Sequence, residues 1–197
     1  MRRIYIDGNV LIAYFSTDKA EESKKKMVEN ALGVFAPLKD TQLCTSMWAV
    51  TEMVNILISS KGIDRTEVAE MENQLVSERR LQKLKIHIVE VSPDKDYDFV
   101  EFFYHVKQSI LKYHSGVGDV IHSVIMKNNG ITEILTFDEK DDFKQIPGLT
   151  VFSSQRHQDL SMVAVAEYLF HLAPRENGRR WQSLADPSMI TRSGALG

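Results

Sequence analysis

The chain has 197 residues, 43% of them hydrophobic and 26% charged, which is the balance of a soluble globular protein with one ordinary domain and residues to spare. Its formal net charge of −3 gives no sign of a general nucleic-acid-binding surface, although acids clustered in a metal site also lower the net charge. The single cysteine, Cys44, excludes an internal disulfide, and no stretch has the pattern of a signal peptide or a membrane span, so we expect a cytoplasmic protein with no membrane partner.

In chain order, the first half of the sequence alternates strand-like and helix-like segments. The apolar run Arg3–Asp7 predicts a strand that closes in the turn signal Asp7-Gly8-Asn9. Further on, apolar residues that recur at helical spacing among charged ones predict helices, and short apolar or alternating runs predict strands. The next predicted segments are a helix at Asp18–Phe35, a strand at Gln42–Thr45, helices at Met47–Ser59 and Asp64–Lys83, and a strand at Lys85–Val91.

The second half continues the alternation. Gly116-Val117-Gly118 predicts a hinge before a helix, and Gly130 is an expected helix stop. The predicted segments are helices at Asp94–Lys112 and Asp119–Asn128, strands at Glu133–Phe137 and Leu149–Phe152, and a helix at His157–Leu172. Strands that alternate with helices predict an α/β protein whose central parallel sheet is covered on both faces.

The character of the sequence changes at Ala173. Residues 173–197 have little apolar periodicity, and they carry four arginines and Trp181 against two acidic residues. We therefore expect one domain over residues 1–172 and a flexible tail over residues 173–197. Basic and aromatic groups together bind single strands, so the tail is a candidate contact for a phosphate backbone, with a disordered end as the simpler alternative.

Four acidic residues occupy positions where chemistry is expected in a parallel α/β protein. Asp7 and Asp138 end predicted strands, and ligands of parallel sheets bind outside the carboxyl ends of the strands. Asp119 starts a helix, whose N-terminus favours a carboxylate, and Glu52 lies in an apolar helical stretch, where an unpaired carboxylate is costly. Taken singly, the aspartates are also explained as turn or capping residues, and Glu52 as part of an exposed stripe. Together, four converging acids need a cation, and oxygen ligands suit Mg²⁺ or Mn²⁺.

Three segments around these acids resemble the motifs of PIN domains. IYIDGNVLIAYF is similar to the opening motif of that family, with Asp7 as its first acid and Asn9 in its signature. SMWAVTEMVNIL resembles the second motif, whose glutamate corresponds to Glu52. GDVIHSVIMKNNGITEILTFD resembles the third and fourth motifs, which gives Asp119 and Asp138 as the remaining acids.

The resemblance extends from about Arg3 to Phe152, and two features depart from the family pattern. Gly8 stands where threonine or serine is commoner, so a hydroxyl near the metal is missing. TFDEKDDF is two residues longer than the usual spacing, which makes Asp141 or Asp142 a candidate for a fifth acid. The family resemblance implies a three-layer α/β/α sandwich with a central parallel sheet and metal-dependent cleavage of RNA.

These observations lead us to expect a Mg²⁺-dependent endoribonuclease that hydrolyses phosphodiester bonds in single-stranded or structured RNA. Asp7 and Asp119 are expected to hold the ion, with Mn²⁺ as a substitute, while Glu52 and Asp138 complete the acidic site through bound water or a second ion. Many PIN proteins are the toxins of toxin–antitoxin pairs, so the resemblance also implies an antitoxin partner. We further expect a homodimer.

Two other functions stay open at this point. A phosphoaspartyl phosphatase of the haloacid-dehalogenase kind also has an aspartate after its first strand, but it needs a second acid two residues later, where this sequence has Asn9. A catalytically inactive PIN-like scaffold that binds RNA or protein is the other alternative. The presence of all four acids argues against the scaffold without removing it.

Histidines and aromatic residues give weaker signals than the acids. The six histidines show no zinc-binding spacing such as HExxH, and His122, one turn after the third acid, is the one placed best for catalysis. Phe99, Phe102, Phe103 and Val106 form a helical stripe that is typical of a core or of a dimer contact.

Overall fold

The computed structural model describes residues 1–35, 38–76, 86–113, 115–137 and 142–153, and these all belong to one compact unit, Met1–Gln158. Within them, five strands form one parallel sheet in the order β3-β2-β1-β4-β5. The strands are β1 (Arg2–Ile6), β2 (Thr41–Ser46), β3 (Ile86–Val89), β4 (Glu133–Thr136) and β5 (Thr150–Ser153). Because all the strands run in the same direction, their carboxyl ends share one edge of the sheet.

Helices connect the strands and flank the sheet. In chain order they are α1 (Gly8–Phe15), α2 (Glu22–Phe35), α3 (Met47–Ser59), α4 (Arg65–Val76), α5 (Phe99–Tyr113) and α6 (Val117–Asn128), with short 3₁₀ helices at Lys19–Glu21 and Asp142–Gln145. Helices α1 and α2, α1 and α3, and α3 and α4 pack against each other, and α5 packs against α6. The architecture is thus a three-layer α/β/α sandwich, as the sequence predicts. None of the helices in the described ranges is long and apolar enough to cross a membrane.

The central strand β1 is buried on both of its faces. Tyr5 belongs to a core cluster with side chains of α5 and α6, including Phe102 and Val124. Its neighbours Ile4 and Ile6 point to the opposite face, because side chains alternate along a strand, and they too are fully buried. Burial on both faces explains why this strand is a continuous apolar run.

Helix α1 is the element that the sequence pattern did not predict. The strand prediction closed in a turn at Asp7-Gly8-Asn9, whereas the structure begins a helix at Gly8 with Asp7 as its N-cap. The Asp7 side chain accepts a hydrogen bond from the Gly8 amide. Most of the helix is buried, so apolar residues lie on nearly every side of it. Without a polar face, its sequence does not show the helical periodicity by which surface helices are recognised.

Helix boundaries differ from the predictions where two capping residues compete. Helix α5 begins at Phe99 and not at Asp94. The Asp94 side chain accepts a hydrogen bond from the Asp96 amide in a separate turn before the helix. Asp98 accepts a hydrogen bond from the Glu101 amide and caps the helix. Helix α6 begins at Val117, so the predicted hinge at Gly116-Val117-Gly118 is wrong: two of its residues form the first turn of the helix.

Several predictions fall outside the part of the chain that the structure describes. They are the end of the Asp64–Lys83 helix, the helix His157–Leu172, the tail at 173–197, and the acids Asp138 and Asp141. The predicted strands otherwise agree with the structure to within one or two residues at each end. The helix Met47–Ser59 has the predicted bounds.

Candidate metal centre

Asp7 lies at the carboxyl end of the central strand, at the edge where the parallel strands end. Only 5% of its surface is exposed. One carboxylate oxygen, Oδ1, accepts a hydrogen bond of 2.6 Å from the Gly8 amide, and the other, Oδ2, accepts one of 2.6 Å from the Thr136 hydroxyl at the end of β4. The first residue of α1 and the last residue of β4 therefore fix the orientation of this carboxylate.

Glu52 reaches the same place from helix α3. Its side chain is 29% exposed, and its Oε2 atom lies 2.6 Å from Nε2 of His122. The carboxylate also fills the space beside two glycines: a Cβ at Gly8 would lie 3.0 Å from Oε2, and a Cβ at Gly118 would lie 2.8 Å from Oε1. The absence of side chains at these two positions leaves room for the glutamate.

Gly8 thus has a structural explanation. A side chain at this position would press on Glu52 and, at 3.2 Å, on the carbonyl oxygen of Ala49. The hydroxyl that the sequence pattern lacks at position 8 has a counterpart in Thr136, which donates its proton to Asp7.

His122 joins the two carboxylates from helix α6. Its Nε2 atom lies 2.6 Å from Glu52 and 3.3 Å from Oδ1 of Asp7. On the other side of the ring, Nδ1 lies 2.9 Å from the hydroxyl of Tyr5, which in turn contacts the Ser46 hydroxyl. A buried chain of hydrogen bonds therefore runs from the N-cap of α3 through the central strand to the two acids.

The burial and the charges of this cluster shift its protonation. Burial raises the pKa of Asp7, although the charge of His122 and the hydrogen bond from Thr136 act in the opposite direction. Burial acts to lower the pKa of His122, but the hydrogen bond with Glu52 and the charges of Asp7 and Glu52 outweigh it, so the pKa of His122 is raised. The two carboxylates therefore stabilise positive charge at this point, on the imidazole or on a bound cation.

Asp119 lies in the first turn of α6, half-buried, where the helix N-terminus favours a negative charge. Its Oδ2 atom would be 3.0 Å from a Cβ at Gly116, and its charge contributes to the raised pKa of His122. The carboxylate therefore acts on the same cluster without being one of its closest members.

Asn9 and Asp142 are the secondary candidates of the sequence that the structure describes. The Asn9 side chain donates to the Thr136 hydroxyl at 3.0 Å and accepts from the Phe137 amide at 2.9 Å, so it ties the start of α1 to the end of β4. Asp142 starts the last 3₁₀ helix, where its backbone carbonyl accepts from Ser115 at 3.4 Å. Asn9 thus supports Thr136, and Asp142 lies near the start of α6.

The donor atoms at this site fit a divalent cation. Among the described residues, one ligand atom each from Asp7, Glu52 and His122 lie within 4.8 Å of one another. Two carboxylates supply negative charge, and an imidazole supplies a neutral nitrogen when it binds a metal. These residues can hold one ion at the carboxyl edge of the sheet.

The acids of this site stand out in the sequence, whereas the polar residues that contact them do not. Spacing marks His122 only as lying one turn after Asp119, and it singles out neither Tyr5 nor Thr136. The available signal is a polar residue within an otherwise apolar buried segment: Tyr5 in RIYI, Thr136 in EILT and His122 in VIHSVI. Buried polar groups need partners, so such residues point to a hydrogen-bonded site.

The sequence and the fold both have relatives among known proteins. The sequence matches the PIN domain family over residues 4–149. VapBC2 from Rickettsia felis, solved bound to a DNA fragment from its promoter, has a similar fold, with a TM-score of 0.53 and 14% identity over 77% of this chain and 98% of that chain. VapC20 from Mycobacterium tuberculosis, described as a sarcin–ricin loop cleaving toxin, has a TM-score of 0.51 and 12% identity over 74% of this chain and 96% of that chain.

No curated protein sequence matches the chain. At 14% and 12% identity, the likeness to the solved structures concerns the fold. The match to the family model is evidence from the sequence itself, because it covers most of the chain and includes the positions of Asp7, Glu52 and Asp119. The chain therefore belongs to the PIN domain family.

Proposed function

We propose that this protein is a divalent-metal-dependent endoribonuclease. The observation that carries the proposal is the meeting of Asp7 from the end of β1 and Glu52 from α3 at one point, within a chain of the PIN domain family. Carboxylates that approach this closely at a largely buried point need positive charge, and a divalent ion supplies it. The substrate class is RNA, in single-stranded or structured form.

Each residue has a defined part in this proposal. Asp7 and Asp119 hold Mg²⁺ or Mn²⁺, while Glu52 and Asp138 complete the acidic site. An ion bound here supplies a Lewis acid for the scissile phosphate and a water of lowered pKa. The hydrogen bonds from Gly8 and Thr136 keep Asp7 in one orientation, so the site is organised before RNA arrives.

Electrostatics also sets the order of binding. The acids repel the phosphate backbone as long as their charge is not neutralised, so RNA binds productively only after the cation. Glu52 is the more exposed of the two central acids, with 29% of its side chain accessible against 6% for Asp7. The phosphate is therefore expected to approach from the Glu52 side.

We further propose that the protein acts in the cytoplasm as the toxin of a toxin–antitoxin pair and forms a homodimer. The support for an antitoxin is the fold shared with the Rickettsia felis complex, and for RNA it is the fold shared with the sarcin–ricin loop cleaving toxin. The support for a dimer is an exposed apolar face of α5, formed by Phe99, Val100, Phe103, Tyr104 and Leu111, each more than half exposed. The other half of the predicted stripe, Phe102 and Val106, is core.

The phosphatase alternative loses support from Asn9. That enzyme class needs an acid at this position, and here both ends of the Asn9 amide are engaged with Thr136 and Phe137. An aspartate would have no proton to donate to Thr136, which already donates to Asp7. Asn9 therefore makes two hydrogen bonds that the aspartate of a phosphatase could not both make.

Parallel assays on two substrates test the proposed function. The purified full chain is incubated with a mixed RNA pool and with a small phosphomonoester, each with Mn²⁺, with Mg²⁺ and with a chelator, and Asp7→Asn is the matched control. We expect metal-dependent RNA fragments from the wild type alone and no phosphate release. Phosphate release would support the phosphatase, and intact RNA under every metal condition would support the scaffold.

A further inference from the structure

The position of His122 has a consequence for the choice of metal. The His122 side chain is 2% exposed, and its Nε2 atom lies 2.6 Å from Glu52 and 3.3 Å from Asp7. An ion held by both carboxylates at this point would also meet the imidazole nitrogen. The three donor atoms come from the end of β1, from α3 and from α6, which are separate elements that meet at the same edge of the sheet.

The protein holds the His122 ring in this orientation. The Tyr5 hydroxyl lies 2.9 Å from Nδ1 and is itself in contact with Ser46, and all three residues are buried. The ring of Tyr5 contacts the imidazole in an edge-to-face arrangement. The centroid of the Phe143 ring lies 6.2 Å from the centroid of the imidazole. A histidine that binds a metal is typically fixed by a hydrogen bond at its other ring nitrogen, and the Tyr5 hydroxyl occupies that position.

We propose that His122 Nε2 is a further direct ligand of the divalent ion, beside the acidic residues that hold it, so that the site binds Mn²⁺ in preference to Mg²⁺. The inference rests on the proposed function only in requiring that a divalent ion binds at these acids. Mg²⁺ favours oxygen ligands and gives up its water reluctantly, whereas imidazole is a good ligand for transition metals. One nitrogen in the ligand set therefore shifts the preference toward Mn²⁺.

The competing explanation assigns His122 a hydrogen-bonding part alone. In that case the imidazole N–H holds Glu52 and Asp7 in place, and the ion binds through oxygen atoms only. Both explanations place His122 in the same position and make its loss harmful to activity. A readout of the atoms bound to the ion is needed to separate them.

Pulsed electron paramagnetic resonance of the Mn²⁺-loaded wild-type protein provides that readout. We expect a ¹⁴N coupling of the strength given by a directly bound imidazole nitrogen. His105→Gln, which removes an exposed histidine of α5, is the matched control and should keep the coupling unchanged, whereas His122→Gln should lose it. Bound Mn²⁺ without ¹⁴N coupling, or no bound Mn²⁺, would overturn the inference, and the wild-type spectrum alone decides if His122→Gln does not fold.

A second variant tests the part of Tyr5. Tyr5→Phe keeps the aromatic ring but removes the hydroxyl that fixes His122. We expect it to retain the ¹⁴N coupling and to bind Mn²⁺ about 10-fold or more weakly, as is typical when the hydrogen-bond partner of a metal ligand is removed. Unchanged Mn²⁺ affinity would contradict the claim that the Tyr5 hydroxyl positions His122 for metal binding.

The outcomes for the ligand and for the nuclease are distinguishable. RNA cleavage by a protein whose Mn²⁺ shows no ¹⁴N coupling would contradict the His122 ligand and leave the proposed function intact. A ¹⁴N coupling in a protein that cleaves no RNA would support the ligand and contradict the nuclease. If His122 is a ligand, the preference for Mn²⁺ over Mg²⁺ should fall in His122→Gln. An unchanged ratio of the two affinities would contradict His122 as a ligand.

Discussion

Asp7 is a buried carboxylate whose negative charge is stabilised by its neighbours. Burial disfavours its charge, and the hydrogen bonds from Gly8 and Thr136 with the neighbouring His122 offset that cost. The carboxylate also lies beside Glu52, whose negative charge repels that of Asp7 and raises its pKa further. A bound cation would relieve this repulsion between Asp7 and Glu52.

We predict that Asp7→Asn and Asp119→Asn each abolish RNA cleavage while the fold stays intact. Both substitutions remove negative charge from the site at nearly constant side-chain shape, so the loss is expected to exceed about 100-fold, the usual scale for a group that stabilises charge in the transition state. Cleavage rates of the purified variants and their circular dichroism spectra check this. Asp96→Asn, at an exposed position, is the control and should behave as the wild type.

The sequence could predict the acids but not the arrangement between them. Asp7, Glu52 and Asp119 lie at strand ends or on helices that the hydrophobic pattern locates. The contacts of His122 depend on packing between residues 70 positions apart in the chain for Glu52 and 117 apart for Tyr5. No spacing rule covers such distances, because they depend on how α3 and α6 pack at the end of the sheet.

At the element scale, helix starts and glycines shape the site. The Glu52 carboxylate lies against the first residues of α1 and α6, at Gly8 and Gly118. Glycine in the middle of a helix lowers its stability by about 0.5–1 kcal/mol relative to alanine. Gly118 lies in the first turn of α6, where the absence of a side chain leaves room for the Glu52 carboxylate.

We predict that Gly118→Ala weakens Mn²⁺ binding several-fold without unfolding the protein. The new Cβ would lie 2.8 Å from Oε1 of Glu52, and the end of that side chain is able to move away. Calorimetric titration with Mn²⁺ and a thermal melt measure the two effects. Gly33→Ala in α2, where an added Cβ has no neighbour within 4 Å, should raise stability and leave Mn²⁺ affinity unchanged. Equal Mn²⁺ affinity in both variants would argue that the Glu52 position is unimportant.

Helix α1 marks the limit of pattern-based prediction at this scale. The apolar run at residues 10–15 has the length of a strand or of a short helix, and burial on nearly all sides removes the periodicity that separates the two. The Asp7 side chain resolves the ambiguity in the folded protein, since its bond to the Gly8 amide caps a helix. The turn prediction correctly located a break after the first strand but did not identify the helix that begins there.

At the scale of the whole molecule, the alternation of strands and helices predicts a parallel sheet with helices on both faces, and the structure confirms it. The strand order β3-β2-β1-β4-β5 cannot be predicted from the alternation of strands and helices alone. This order places β1 next to β4, which brings Asp7 and Thr136 together. The site is therefore a product of topology as well as of local sequence.

We predict that Mn²⁺ stabilises the folded protein. An ion that binds only the folded state adds about 2.7 kcal/mol at a free concentration of about 100 times its Kd. Thermal melts with and without Mn²⁺ should differ by several degrees, and the difference should shrink in Asp7→Asn. An unchanged melting temperature at millimolar Mn²⁺ would indicate that the acids do not bind metal.

We also predict that residues after Ala173 are dispensable for RNA cleavage. The family match ends at residue 149, and the four candidate acids all precede Phe143. A chain truncated after Leu172, assayed on RNA at low and moderate salt, should keep its cleavage rate, with any loss of affinity confined to moderate salt. Loss of cleavage at every salt concentration would place the tail within the catalytic domain.

The most direct test of the central claim compares metal binding with catalysis in the same protein. The RNA cleavage rate is measured as a function of free Mn²⁺, and the Mn²⁺ binding isotherm is recorded under the same conditions. We predict that the two midpoints coincide, and that Asp7→Asn shows neither cleavage nor binding in that range of Mn²⁺. Cleavage that persists in a chelator, or that Asp7→Asn retains at the wild-type rate, would contradict the assignment of this acidic cluster as the metal centre of a ribonuclease.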